Sequence, residues 1–153
     1  MDNELRFRFA DLDDLRDIVK MLSDDILGAT REKLESSLSG NYLTAFEKIT
    51  SDPNQELTIV EMNGERVATF QLTFIQYLVY QGGRRAQIEA VRIKSNYRGM
   101  GIGTKVFEYV INRAKEKGCH LLQLTSDKKR PEAIKFYERI GFISTHEGMK
   151  LQL

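Results

Sequence analysis

Apolar residues alternate at Leu5, Phe7 and Phe9 and then recur at Leu12, Leu15, Ile18, Val19, Leu22 and Ile26, so a period of two gives way to one near 3.6. A strand followed by a helix is predicted, with Asp11 as the helix N-cap. Residues 28–40 are polar and carry no clear period, after which residues 42–49 read as a short second helix stopped by Ser51-Asp52-Pro53. Residues 57–62 and 67–79 are rich in β-branched and aromatic side chains and flank Asn63-Gly64, a strong two-residue hairpin signal. They are predicted to pair antiparallel. Ala68, Phe70, Leu72 and Phe74 fall on one face of the second strand, with Thr69, Gln71 and Thr73 on the other. Gln81-Gly82-Gly83 then turns the chain into a third strand over residues 86–93.

Beyond residue 94 the rhythm becomes helical. Ile102, Val106, Val110 and Ala114 recur on one face with Phe107 and Ile111 on its flank, and Gly118 closes the helix. Residues 121–125 form a short apolar run suited to a buried strand. Pro131 fits the first turn of another helix, which carries Ala133, Ile134, Phe136, Tyr137 and Ile140 and stops at Gly141. Residues 142–144 and 149–153 are predicted to close the chain as two small strands around Glu147-Gly148. The order β-α-α-β-β-β-α-β-α-β-β describes an α/β (α+β) single domain over residues 4–153, built on a mixed central sheet with a parallel βαβ step.

Composition narrows the possibilities. A chain of 153 residues with 41% hydrophobic content suffices for one core without metal or disulfide staples. Lys and Arg total 23 against 22 Asp and Glu, a net charge of +1, which gives none of the concentrated positive field that makes nucleic acid a default partner. The uncharged run over residues 67–83 is broken by Thr69, Gln71, Thr73 and Gln76 at strand spacing, so it is not a membrane span. The acidic start has no apolar stretch behind it, and Cys119 is the sole cysteine, so a reducing cytoplasm is the expected location. His120 and His146 lack a second ligand at metal-binding spacing, and no metal site is expected.

The chemistry concentrates at one junction. Three of the eleven glycines, Gly99, Gly101 and Gly103, stand between a predicted strand and a helix N-terminus, behind Arg98. Glycine lets backbone approach a bulky ligand, and the first amides of a helix are unpaired donors at the positive end of its dipole, so phosphate suits the place. A P-loop is excluded because Thr104-Lys105 reverses the required lysine-hydroxyl order. A dinucleotide loop starting at Gly99 fails because Thr104 stands where glycine is needed.

The segment Arg98-Gly99-Met100-Gly101-Ile102-Gly103 resembles the R/Q-x-x-G-x-G/A pyrophosphate loop of the GNAT superfamily of acyl-CoA-dependent N-acyltransferases. Residues 88–93 are similar to that family's fourth strand, and residues 133–142 to its A-x-x-F-Y-x-x-x-G-F motif. The resemblance covers residues 4–153. It implies acetyl-CoA as co-substrate, with the pantetheine arm in a gap between Val91, Arg92 and Ile93 and residues 122–125. The pyrophosphate would lie on the amides of Met100, Gly101, Ile102, Gly103 and Thr104, Arg98 or Lys105 would supply charge, and Phe136 would join the cofactor site. Lys128, Lys129 and Arg130 either meet a phosphate or form a solvated loop, and Arg130 stands where the family often has asparagine.

The implied reaction is attack of a primary amine on a thioester. An amine with a pKa of about 10.4 is almost wholly protonated at neutral pH, and freeing it costs about 4 kcal/mol. Glu89 is the candidate base, the alternative being an ion pair with Arg92 or Arg85; Asp127 is the second candidate. Tyr137 matches the family's tyrosine that protonates the departing thiolate, the alternative being core packing. The resemblance thus implies an N-acetyltransferase for a small-molecule amine, with protein N-terminal or lysine acetylation, or a silent acyl-CoA sensor, as the other readings. Residues 28–54 and 78–85 would build the acceptor pocket, and the closing strands would mediate a homodimer.

Overall fold

The computed structural model describes residues 3–35 and 37–153, which divide into two compact units, one ending at Gln123 and one comprising Leu124–Leu153. In the first unit, β1 (Leu5–Phe9) leads through a 3-10 turn (Leu12–Asp14) into α1 (Leu15–Ser23). Asp11 begins that turn as predicted: its carboxylate accepts from the Asp13 amide at 2.9 Å, and the Asp14 carboxylate accepts from the Asp11 amide at 2.8 Å. The apolar period runs on to Ile26, yet α1 stops at Ser23 and Ile26 is exposed. The Asp25 carboxylate accepts from the Gly28 amide and starts a separate single turn, α2 (Gly28–Arg31), so local side-chain capping outcompetes continuation of the helix. The second predicted helix forms as α3 (Gly40–Ser51).

Five strands follow the order β1-β2-β3-β4-β5, with β2 (Gln55–Met62), β3 (Glu65–Gln76), β4 (Arg84–Ile93) and β5 (Leu121–Gln123). The first four pair antiparallel and β5 runs parallel to β4, which gives the mixed sheet that the element order implied. Asn63 at φ 52° and Gly64 at φ 80° make the left-handed pair that a tight hairpin needs. β3 ends at Gln76, not at Val79. There the Gln76 amide Nε2 donates to the Gly82 carbonyl at 2.8 Å and Tyr77 N to the Gly83 carbonyl at 3.0 Å, which folds Leu78 and Val79 into an exposed turn.

Helix α4 (Ile102–Glu116) buries Ile102, Val106, Phe107, Val110 and Ala114, and its Tyr109 ring lies 6.1 Å from Phe70 and stacks on Phe7 at 4.3 Å. Arg113 of the same helix grips the buried Glu56 carboxylate through Nε at 2.9 and 3.0 Å. On the opposite face, Leu15, Ile18 and Val19 of α1 and Phe46 of α3 cover Leu57 and Ile59. Asp14, fully buried, is held by Arg8 at 2.6 and 2.8 Å and by Arg66 at 2.5 Å, which fastens the start of α1 to β1 and β3.

The second unit contains α5 (Pro131–Arg139), with Pro131 in its first turn as predicted. The two closing strands are not formed. Residues 142–153 adopt neither strand nor helix, and Ile143, Met149, Leu151 and Leu153 are exposed. Alternation makes a strand only where a neighbouring ladder completes its hydrogen bonds, and these residues find none among the described residues. No helix among the described residues is long and apolar enough to cross a membrane.

Candidate active site

The site is built where β4 loses its regularity. Gln71 pairs with Glu89 and Thr69 with Arg92, so Phe70 faces two residues, Ala90 and Val91. This is a bulge, and Ala90 sits in it at φ 54°, in the left-handed region that alanine rarely adopts. On the other side of β4, the parallel ladder with β5 ends at Gln87 and Gln123. The Val91 and Ile93 carbonyls accept instead from side chains, Arg92 Nη1 at 2.9 Å and Arg98 Nε at 3.0 Å. Val91, Arg92 and Ile93, still laddered to β3 on one side, thus lie beyond the end of the β5 ladder on the other.

Beyond β4 and a 3-10 turn (Ser95–Tyr97), Gly99 and Gly101 adopt φ 77° and 78°, and a side chain added at either would meet no protein atom within 4 Å. Met100 and Gly101 are exposed while Ile102 anchors the loop in the core. No side chain caps the N-terminus of α4, so the amides of Ile102, Gly103 and Thr104 face their helix end without intrahelical acceptors. Arg98 reaches back with Nη2 to the Asp24 carbonyl at 3.3 Å, which ties the loop to the end of α1. The chemistry of this donor set, backbone N–H groups with open space above them, fits a pyrophosphate.

Glu89 is exposed and makes no ion pair among the described residues. Arg92 lies 3.4 Å from Asp25, while Arg85 stacks over Tyr77 at 4.6 Å and Tyr80 at 5.3 Å. Neither predicted arginine partner is therefore engaged with Glu89. Because it stands opposite Gln71 in the ladder, Glu89 shares that residue's face of the sheet. That face holds a cavity of about 150 Å³ between α1, α3 and the sheet, lined by Val19, Tyr42, Phe46, Leu57, Gln71 and Ala90 among others. The Tyr42 hydroxyl beside it is occupied, donating to Glu32 at 2.6 Å and accepting from the Lys33 amide at 3.0 Å; burial and then Glu32 push its pKa up. Tyr42 and Phe46 fall within residues 28–54, where an acceptor pocket is expected, whereas Gln71 reads as an ordinary strand position and alanine gives no signal of a bulge.

In the second unit, the Asp127 carboxylate accepts from the Lys129 amide at 2.8 Å, so it shapes its own turn. Lys128 makes an exposed pair with Glu147 at 3.8 Å, and Lys129 is exposed. Tyr137 is half-buried, its ring 5.6 Å from Phe136 and 6.0 Å from Phe142, both edge-on. Arg139 lies over the Phe136 ring at 5.9 Å.

The model of the acetyltransferase (GNAT) family matches residues 20–142, which span the bulged strand, the glycine loop and α5. The chain belongs to the acetyltransferase (GNAT) family. Among relatives, the thialysine N-epsilon-acetyltransferase of Bos taurus is 32% identical over 81 residues, 53% of this chain and 47% of that protein, so the chain spans about half its length. The aminoalkylphosphonate N-acetyltransferase of Salmonella typhimurium is 25% identical over 125 residues, 81% of this chain and 80% of that one. The crystal structure of a transcriptional regulator from Bacillus halodurans C-125 superimposes with a TM-score of 0.94 and 47% identity, covering 98% of this chain and 100% of that one. This GNAT chain thus keeps its family's α/β fold, and the two curated relatives named above are N-acetyltransferases.

Proposed function

We propose that this GNAT chain transfers an acetyl group from acetyl-CoA to the primary amine of a small molecule. The observation that carries the reading is the pair of left-handed glycines, Gly99 and Gly101, over the uncapped N-terminus of α4, next to the unpaired edge of β4. Backbone donors at Met100 to Thr104 would hold the pyrophosphate, and the edge at Val91 to Ile93 would take the amides of the pantetheine arm. When bound, acetyl-CoA supplies a thioester whose carbonyl carbon an amine attacks. Glu89, exposed and free of a cation, takes one proton from the incoming ammonium, directly or through water. As the N–C bond forms and the C–S bond breaks, Tyr137 gives its proton to the departing thiolate and is reprotonated from solvent, which takes up the second proton that the nitrogen loses on becoming an amide. The products are the N-acetyl amide, free CoA thiol and one proton.

A carboxylate base and a phenolic acid are what turnover needs, so Glu89 and Tyr137 favour an enzyme over a silent acyl-CoA sensor. The net charge of +1 gives this chain no concentrated positive field with which to seek a polyanion. A panel of amines incubated with acetyl-CoA, followed by free-thiol release, tests the reading. Thiol release that depends on both amine and enzyme is expected. Acetylation confined to peptide N-termini or lysines would overturn the small-molecule assignment.

A further inference from the structure

We infer that the cavity between α1, α3 and the sheet takes the uncharged apolar body of the acceptor amine, so that the substrate is an alkyl- or arylamine without a phosphate or carboxylate. The inference rests on the reading of Glu89 as the base. Leu15, Ile18, Val19, Phe46 and Leu57 are among its apolar walls, and no Lys, Arg, His, Asp or Glu lines it. An anionic substituent placed there would lose its hydration with no cation to replace it, whereas an apolar group gains from leaving water. A cavity of about 150 Å³ matches the room that one six-membered ring or a short alkyl chain occupies.

Two walls of the cavity adjoin Glu89. Ala90, the left-handed residue of the bulge, is both a wall of the cavity and the neighbour of Glu89. Gln71, a second wall, is the ladder partner of Glu89. Directly paired residues on one face of a sheet hold their Cβ atoms about 5 Å apart, so Glu89 lies beside the Gln71 wall. An amine whose body fills the cavity therefore presents its nitrogen to Glu89. Gln71 donates through Nε2 to Gln55 Oε1 at 2.8 Å and Tyr42 already holds Glu32, so these polar lining groups are satisfied and the wall behaves as an apolar one.

The test compares methylamine, propylamine, pentylamine and benzylamine with 2-aminoethylphosphonate and β-alanine in acetyl-CoA-dependent thiol release, and measures benzylamine binding by calorimetry. The expected result is a kcat/KM that rises about fourfold per methylene until the cavity is full, with benzylamine at least tenfold above either anionic amine. Ala45, an exposed residue of the cavity wall, offers a variant that fills the space from the surface. Ala45→Phe is expected to flatten the size series and to abolish benzylamine heat, while the thermal shift caused by CoA stays. Leu22→Phe, from α1, serves if Ala45→Phe fails to fold. A flat series, or preference for the phosphonate, in an enzyme that still acetylates amines would overturn the cavity assignment and leave the proposed function standing. No turnover of any amine together with no CoA-induced thermal shift would overturn both.

Discussion

Glu89 and Asp14 are two carboxylates of one chain in opposite circumstances. Asp14 is fully buried among arginines, whereas Glu89 is exposed on a strand with no cation against it. The first is spent on structure, and the second is the proposed base. Glu89→Gln should lower kcat/KM most near neutral pH and recover partly above pH 9, where more of the amine is already free, with the melting temperature unchanged because no ion pair is lost. A uniform loss at every pH, with a lower melting temperature, would assign Glu89 a structural role. Tyr137 is held edge-on between Phe136 and Phe142, contacts that phenylalanine would keep. Tyr137→Phe should therefore reduce kcat by about 10²-fold or more at nearly wild-type stability and CoA affinity; a loss below twofold with chemistry rate-limiting would return Tyr137 to core packing. In the sequence Glu89 stands out as a carboxylate between apolar strand residues and Tyr137 through the motif it resembles, and both roles remain proposals. The sequence leaves Ala90 unseen, because its left-handed conformation is imposed by the register of β3 against β4, and Ala90 carries no local signature of it.

Elements were legible where side-chain period and local capping agree. The Asp11 cap, the Asn63-Gly64 hairpin and the buried face of α4 all follow from short-range rules. The end of α1 is different, since Asp25 starts α2 through its own hydrogen bond while the apolar period continues to Ile26. The closing segment shows the reverse case, a strand-like alternation without a ladder. What fastens α1 is the Asp14 network. Burial pushes the Asp14 carboxyl up, but hydrogen bonds from Arg8, the Asp11 amide and Arg66 outweigh it and hold the group well below the usual carboxylate range. A depressed pKa contributes stability that is complete above the unfolded value of about 3.9 and drains away as pH falls toward the folded one. Chemical denaturation should therefore show a loss of stability below about pH 4 that is smaller in Asp14→Asn, which is already destabilised at neutral pH by about 3 kcal/mol, since Arg8 and Arg66 lose their buried partner and keep Glu61 and Asp17. Equal acid sensitivity in variant and wild type would place the titrating group elsewhere.

At the scale of the whole molecule, the near balance of charge directs attention away from long-range fields and toward one local anion site. The exposed alternation of Met149, Leu151 and Leu153 keeps the expected homodimer as a proposal, for which light scattering at micromolar concentration should give twice the 17.6 kDa chain mass, and a monomer mass would end it. The account as a whole depends on the loop at Gly99 and Gly101 holding the pyrophosphate of acetyl-CoA. Thr104, exposed in the first turn of α4, separates folding from binding at that point. A glutamate there favours the bare helix through its dipole but repels a bound pyrophosphate. The most direct measurement is thermal unfolding of wild type, Thr104→Glu and Gly101→Glu with and without CoA. Wild type should gain about 2.7 kcal/mol at 100-fold excess over Kd, and both variants should lose that gain, with unliganded Thr104→Glu as stable as wild type. A CoA-induced shift of equal size in all three proteins would contradict the account.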